Sequence, residues 1–191
     1  MYSAKGVIMT LPVDKMIQEV IKVEGGYCND PHDKGGETNY GITIATARAN
    51  GYTGDMRTMP LSVAAEIYKK QYYYAPKLDK IEKLSEVIAA ELFDTGVNMG
   101  VGTAGKFLQR VLNSLNNQQK LYQDLVVDGG IGDKTVAALD AWLKAKGASG
   151  EKVVANALNC LQGARYIEIA EKNPTQEVFV YGWLLQRVGI K

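Results

Sequence analysis

Residues 23–43, VEGGYCNDPHDKGGETNYGIT, follow a strongly patterned amphipathic run and then break its pattern completely. Upstream, Met16, Ile17, Val20 and Ile21 recur at helical spacing behind Asp14, a good N-cap. A helix is therefore expected from Asp14 to Val23 or Glu24. Gly25 and Gly26 supply its stop, because glycine tolerates the left-handed conformation just past a helix end. The stretch then holds Glu24, Asp30, Asp33, Glu37, Thr38 and Thr43 among five glycines and one proline. Glycine raises the entropy cost of ordering a segment, so few folding needs would concentrate carboxylates and glycines together. Turns at Asp30-Pro31 and Lys34-Gly35-Gly36 leave room for a short irregular hairpin between Tyr27 and Tyr40. Acids on a tightly turned segment suit hydrolysis of a sugar chain. That reaction needs one protonated carboxyl, a second ionised one, and backbone that a saccharide can approach.

Outward from this stretch the chain reads as mainly helical. Helicity resumes near Thr43 and stops at Gly51. Further helices are expected over 62–73, before Pro76, and over 85–98, stopped by Gly100. Thr103 is placed to cap the next, whose Phe107, Leu108, Val111, Leu112 and Leu115 form an apolar stripe. Asp133 then caps a helix to Lys146, stopped by Gly147. A long helix follows over 151–172, ended by Asn173-Pro174, and a last one spans 176–187. The coarse break lies near residues 100–120, dividing a catalytic lobe, 11–100, from a helical region, 101–191, packed on it.

The chain of 191 residues can bury a real core, and its 46% apolar and 23% charged content is that of a soluble globular protein. A net charge of +1 argues against a nucleic-acid binder, which would show a basic excess or stripe. Cys28 and Cys160 are no disulfide framework, and free thiols in a reducing compartment are expected. His32 is the one histidine, which rules out histidine-rich metal sites. No metal and no cofactor are expected. No run approaches the ~20 apolar residues of a membrane span, and the first residues do not read as a signal peptide.

Glu24 falls where the first helix ends. The partial negative charge at a helix C-terminus disfavours an ionised carboxylate, and partial burial disfavours it further. A glutamic acid kept protonated near neutral pH is the proton donor that glycoside cleavage needs. On position alone Glu24 reads as a solvated last-turn residue; its neighbours reverse that reading. Asp33 follows across a segment able to fold back over the helix end, and the Thr38 hydroxyl lies where it can hold a water. Asp30, before proline, reads as a turn former, and Glu37 as a solvated loop residue. Tyr27 and Tyr40 either stack on sugar rings or brace the hairpin. Cys28 with His32 as base lacks a third orienting group. Asn98, one helical turn after Asp94, is a candidate for lining a cleft. The aromatics Tyr72, Tyr73, Tyr74, Trp142 and Trp183 read as core.

Glu24, Asp33 and Thr38 on a small hairpin resemble the arrangement of phage-type lysozymes. The match is closer to the glycoside hydrolase family 108 muramidases. It runs through Glu24-Gly25-Gly26-Tyr27, Asp30-Pro31-His32-Asp33, Gly35-Gly36-Glu37-Thr38 and Gly41-Ile42-Thr43. Similarity to this family extends through 92–100, 106–116 and 181–188. The resemblance implies a lysozyme-like fold, mainly α, with a short irregular hairpin carrying the active site. It implies cleavage of the β-1,4 bond between N-acetylmuramic acid and N-acetylglucosamine, with Glu24 as the acid. Asp33 and Thr38 would then serve the water or the glycosyl cation. Carboxyls ~5–5.5 Å apart would favour retention of configuration and ~6.5–9.5 Å inversion.

A second motif, VDGGIGDKT at 127–135, resembles the signature of peptidoglycan-binding helical domains through Asp128, Gly129, Gly132 and Thr135. Physically it reads as a turn with positive-φ glycines that docks a helix through its Asp133 or Thr135 end. It either contacts glycan or only shapes the domain. The expected partner is peptidoglycan, with no nucleic acid and no stable membrane insertion, and a monomer is expected. A protein made in the bacterial cytoplasm without a signal peptide would act in the periplasm or wall after release through a holin-like pore. It would be an endolysin or a secretion-associated muramidase. The competing class is a non-catalytic wall-binding or secretion-accessory protein that retains the fold; within enzymes, a lytic transglycosylase.

Overall fold

The computed structural model describes residues 12–24, 26–29 and 36–188, except the side chains of residues 12, 19, 23 and 24. The chain divides into two compact units, Met1–Gln71 and Tyr72–Lys191.

In the first unit α1 (Pro12–Glu24) precedes a two-stranded antiparallel hairpin, β1 (Thr38–Asn39) and β2 (Ile42–Thr43). Then come α2 (Ile44–Ala49), a 3₁₀ turn (Met56–Thr58) and α3 (Leu61–Tyr68). Helix α1 packs on α3. Among its described side chains Val13, Ile17 and Ile21 are buried, so the apolar stripe is rotated slightly from the expected one. Asp14 is not the N-cap, because the helix starts at Pro12. Its carboxylate instead accepts a hydrogen bond from Lys69 Nζ at 2.9 Å. A π-helical turn (Lys69–Tyr74) continues α3, and the division between the units falls within it. The helix expected to Tyr73 is thus α-helical only to Tyr68.

The second unit contains α4 (Leu78–Glu82), α5 (Glu86–Met99), α6 (Val101–Leu115), α7 (Asp133–Lys172) and α8 (Glu177–Arg187). Helices α5, α6 and α7 pack on one another around Ile88, Leu92, Phe93, Leu108, Leu112, Leu139 and Leu158. Ser85 caps α5, accepting from Ile88 N–H at 3.0 Å and donating to Glu151 Oε1 at 2.6 Å. Two expected caps are corrected. Gly100, at φ 88°, joins α5 to α6 with no loop, so Thr103 lies inside the first turn of α6 and donates back to the Met99 carbonyl at 2.8 Å. Gly132 precedes α7, so Asp133 is its first residue and pairs with Lys80 Nζ at 2.9 Å. Gly147, at φ 59° and ψ −148°, kinks α7, which resumes at once rather than at Glu151. Trp142 bridges the kink, donating Nε1–H to the Gly150 carbonyl at 3.0 Å. Trp142 and Tyr73 are core, as expected, whereas Tyr74 is exposed. Trp183 is half-buried and stacked between Tyr166 and Phe179.

The 127–135 turn is clamped from α6. Gln109 Nε2 donates to Asp128 Oδ1 at 2.8 Å and to the Gly130 carbonyl at 3.0 Å, while Gly129 N–H donates to Gln109 Oε1 at 2.8 Å. Backbone meets backbone beside it. A Cβ on Gly105 would sit 2.0 Å from the Gly129 carbonyl oxygen, and one on Gly129 would sit 2.5 Å from that of Gly102. The positive φ expected of this motif's glycines belongs to Gly129, at 87°; Gly132 has φ −87° and open space around it. Ile131 and Thr135 are buried, which docks the start of α7.

Candidate active site

The hairpin is built for a tight reversal. Thr38 pairs with Thr43 and Asn39 with Ile42, leaving Tyr40 and Gly41 as a two-residue loop. Both have positive φ, 52° and 71°, which matches the twist of the flanking strands. Tyr40 is therefore a turn former as well as a candidate sugar contact. Its carbonyl accepts a hydrogen bond from the Tyr68 hydroxyl of α3 at 3.1 Å. Below it, Asn39 is buried and donates Nδ2–H to the Met56 carbonyl at 2.6 Å. Thr43 ends β2 and caps α2, accepting from Thr46 N–H at 3.2 Å. The Ile44 amide closes the base of the hairpin on the Glu37 carbonyl at 2.8 Å. The Gly-Ile-Thr end of the motif is thus a strand and a helix cap at once.

Thr38 is held on both edges. Opposite Thr43, its N–H and C=O exchange two 2.9 Å hydrogen bonds with Cys28. Its hydroxyl reaches the Cys28 carbonyl only at 3.5 Å, a weak contact that leaves a water well able to compete. Glu24 is the last residue of α1. Chain length alone keeps its Cα within about 14 Å of that of Cys28. The Glu24 side chain, and Asp33, Asp30 and His32 altogether, lie outside the described residues. Tyr27 is 38% exposed at the mouth of this segment, and Cys28 is an exposed thiol, as is Cys160.

A pair missed in the sequence adjoins these residues. Asp55 caps the 3₁₀ turn and accepts from the Arg57 guanidinium on both carboxylate oxygens, at 2.6 Å on Oδ2 and 3.1 Å on Oδ1. The Arg57 hydrogen bonds hold the Asp55 carboxyl below the usual range. Arg57 is raised first by its hydrogen bond to Asp55, with Tyr27 and Glu37 near enough to add to the effect. Arg57 lies well downstream of the glycine-rich motif, and no spacing in the sequence marks it.

The structure gathers Tyr27, Thr38 and Tyr40 around one hairpin. Asn98 belongs to the second unit. It is exposed on α5 and donates Nδ2–H to the Asp94 carbonyl at 2.7 Å. The Asp94 carboxylate accepts from Gln162 Nε2 at 2.7 Å and pairs with Arg187 at 2.6 Å.

Residues 17–100 match the family described as Glycosyl hydrolase 108, and residues 103–188 match the one described as Predicted Peptidoglycan domain. Among solved structures the chain is similar to that of Brucella abortus SagA, at 28% identity and a TM-score of 0.58. The similarity covers 92% of this chain and 88% of that one. Curated proteins give no match. The mostly helical frame with its small antiparallel hairpin is a lysozyme-like fold.

Proposed function

We propose that the protein is an N-acetylmuramidase, because residues 17–100 match the glycosyl hydrolase 108 family and a stretch matched as a peptidoglycan domain follows them. It cleaves the β-1,4 bond between N-acetylmuramic acid and N-acetylglucosamine. Glu24 supplies the proton. It is the last residue of α1, and the partial negative charge at a helix C-terminus disfavours an ionised carboxylate there. Proton transfer to the glycosidic oxygen breaks the bond to the anomeric carbon and leaves positive charge on the sugar ring. Asp33 stabilises that charge or activates the water, and the Thr38 hydroxyl positions the water. The water's hydroxide joins the anomeric carbon, and its remaining proton returns to a carboxylate. Tyr27 and Tyr40 flank the glycan.

The observation that carries this reading is the double anchoring of Thr38, between Cys28 and Thr43. Both partners sit in the stretch that begins where Glu24 ends its helix. Preorganised placement of a polar group is what lowers a barrier without reorganisation during the reaction.

The second domain holds the enzyme on its insoluble substrate. No helix among the described residues is long and apolar enough to cross a membrane. The protein reaches the wall from the cytoplasm through a separate pore and works as an endolysin or a secretion-associated muramidase. A digest of purified peptidoglycan tests the chemistry. Fragments that have gained water and end in a reducing N-acetylmuramic acid are expected. A 1,6-anhydro end would make the protein a transglycosylase, and unchanged wall a non-catalytic binder.

A further inference from the structure

Directly after α6 the backbone takes three successive left-handed residues, none of them glycine. They are Asn117 at φ 55°, Gln118 at 58° and Gln119 at 62°. L-residues visit this region singly, because Cβ crowds the following carbonyl oxygen. Asparagine tolerates it better than most, and glutamine has no comparable local hydrogen bond to offer. Ending a helix requires only one left-handed residue, ordinarily glycine. The turn therefore exceeds what stopping α6 needs.

Its neighbours hold it in place. Buried Asn116 donates Nδ2–H to Asp124 Oδ1 at 2.5 Å, accepts from Gln119 N–H at 3.1 Å, and takes the Leu121 amide on its carbonyl at 3.4 Å. Asn113 exchanges two 2.8 Å hydrogen bonds with the backbone of Leu125. The Tyr122 hydroxyl donates to the Leu112 carbonyl at 2.8 Å. These ties fasten the returning segment to the last turns of α6. They leave Asn117, Gln118, Gln119 and Lys120 exposed, with Leu121 and Val126 exposed beside them. The Gln119 carboxamide reaches Asp124 Oδ2 only at 3.5 Å, a weak contact that a ligand can displace.

An exposed row of carboxamides on a fixed backbone suits one chemistry well. Each carboxamide offers an N–H donor and a carbonyl acceptor. The acetamido groups of N-acetylated sugars offer the complementary pair. Such pairing is neutral, so neither side has to strip water from a charge. We infer that the turn at residues 117–120 is a glycan-binding surface, on which Asn117, Gln118 and Gln119 pair with acetamido groups of the peptidoglycan strand. Leu121 and Val126 lie against apolar faces of the sugar rings, and Lys120 meets a carboxylate of the wall. The inference rests on the reading of the second domain as the wall-binding part.

Glycine substitution separates binding from folding. Glycine adopts the left-handed conformation without the Cβ contact, so a triple variant, Asn117→Gly/Gln118→Gly/Gln119→Gly, keeps the turn and removes the amides. Wild type and variant are compared by circular dichroism and by cosedimentation on ice with purified insoluble peptidoglycan, native and chemically N-deacetylated. The variant is expected to keep the wild-type spectrum and to bind native wall roughly tenfold more weakly or worse, since three amide hydrogen bonds are lost. Wild type is expected to lose a similar factor on N-deacetylated wall. Gln118→Ala leaves the backbone unchanged and is expected to lose about threefold, which keeps the test sound if the triple variant misfolds. Undiminished binding by a folded triple variant, or by Gln118→Ala, overturns the inference while leaving the domain a wall binder. Equal binding of wild type to both walls overturns the acetamide pairing. Wild type that does not sediment at all rejects the wall-binding reading and the inference with it.

Discussion

Replacing Gly105 by alanine tests the close approach that fixes the second unit. Gly105 lies inside α6, where alanine would ordinarily stabilise by about 1 kcal/mol. Here the added Cβ would sit 2.0 Å from the Gly129 carbonyl oxygen and 2.7 Å from its carbon. The Gly129 backbone must then retreat by about 1 Å. Three hydrogen bonds between Gln109 and residues 128–130 resist that retreat. Losing or bending them costs roughly 1 kcal/mol each, and overpacking adds about 1–3 kcal/mol. After the gain in helix propensity, a net loss of about 3–5 kcal/mol is expected. For a chain of this length that lowers Tm by roughly 6–20 °C. Gly102, on the same helix, is the control: a Cβ there meets nothing within 4 Å. Gly102→Ala should therefore be neutral or stabilise by up to about 1 kcal/mol. Thermal melts followed at 222 nm in parallel decide the matter. A Gly105→Ala protein as stable as Gly102→Ala would refute the packing argument, because identical chemistry on one helix would then have no positional cost.

Glu24→Gln should abolish wall lysis in a turbidity assay with an unchanged circular dichroism spectrum, since the amide matches the acid in shape and cannot donate its proton. Asp33→Asn should lower the rate by ~10²–10³, the usual cost of one preorganised electrostatic contact. Wild-type activity there, with Glu37→Gln inactive, would move the second carboxylate to Glu37. Asn39→Asp sets a carboxylate oxygen against the Met56 carbonyl in a buried position. A loss of about 1–3 kcal/mol in urea denaturation is expected, with activity falling as the hairpin loosens. Asp128 is held below its ordinary pKa of 3.8, first by the Gln109 hydrogen bond and then by the Gly130 amide. Its stabilising effect is thus complete above that value and lost as pH falls through the lower, folded-state pKa. Asp128→Asn should flatten the acid side of the urea midpoint against pH, and an unaltered acid limb would contradict the assignment.

Helices were legible where apolar spacing and a breaker agreed, as with the run behind Glu24, the stop at Gly100 and the end at Asn173-Pro174. A hairpin was legible in the clustered glycines, but not its place: it was expected between Tyr27 and Tyr40, where the described residues give one Cys28–Thr38 bridge, and the two strands are Thr38–Asn39 and Ile42–Thr43 around Tyr40-Gly41. Helix starts were harder to read. Thr103 and Asp133 have the chemistry of caps, but Gly100 and Gly132 precede them and already turn the chain, so both fall one to three residues inside. The expected positive φ at Gly132 failed for a related reason: only one glycine of the motif has to cross another backbone, and that is Gly129. The π-helical turn and the left-handed residues Asn117, Gln118 and Gln119 carry no sequence signal. Tertiary hydrogen bonds hold the latter against their own propensity. Of the candidate site, the residues of the motif were legible as types, and the Asp55–Arg57 pair was not, because nothing in its spacing ties the 3₁₀ turn at Met56–Thr58 to the hairpin that Asn39 joins to it.

Helix α5 belongs by sequence to the hydrolase stretch and by packing to the helices that follow it. Asp94, on that helix, holds Gln162 and Arg187 from the stretch matched as the peptidoglycan domain. A graft that cuts between residues 100 and 103 would therefore split one apolar core, exposing Ile88, Leu92 and Phe93 on one piece and Leu108, Leu139 and Leu158 on the other. A cut at the Gln71–Tyr72 division carries α5 along and leaves that core whole. The seam along which the chain can be divided without opening a core thus lies inside the stretch matched to the hydrolase family, at the π-helical turn, and not where the two matched stretches meet.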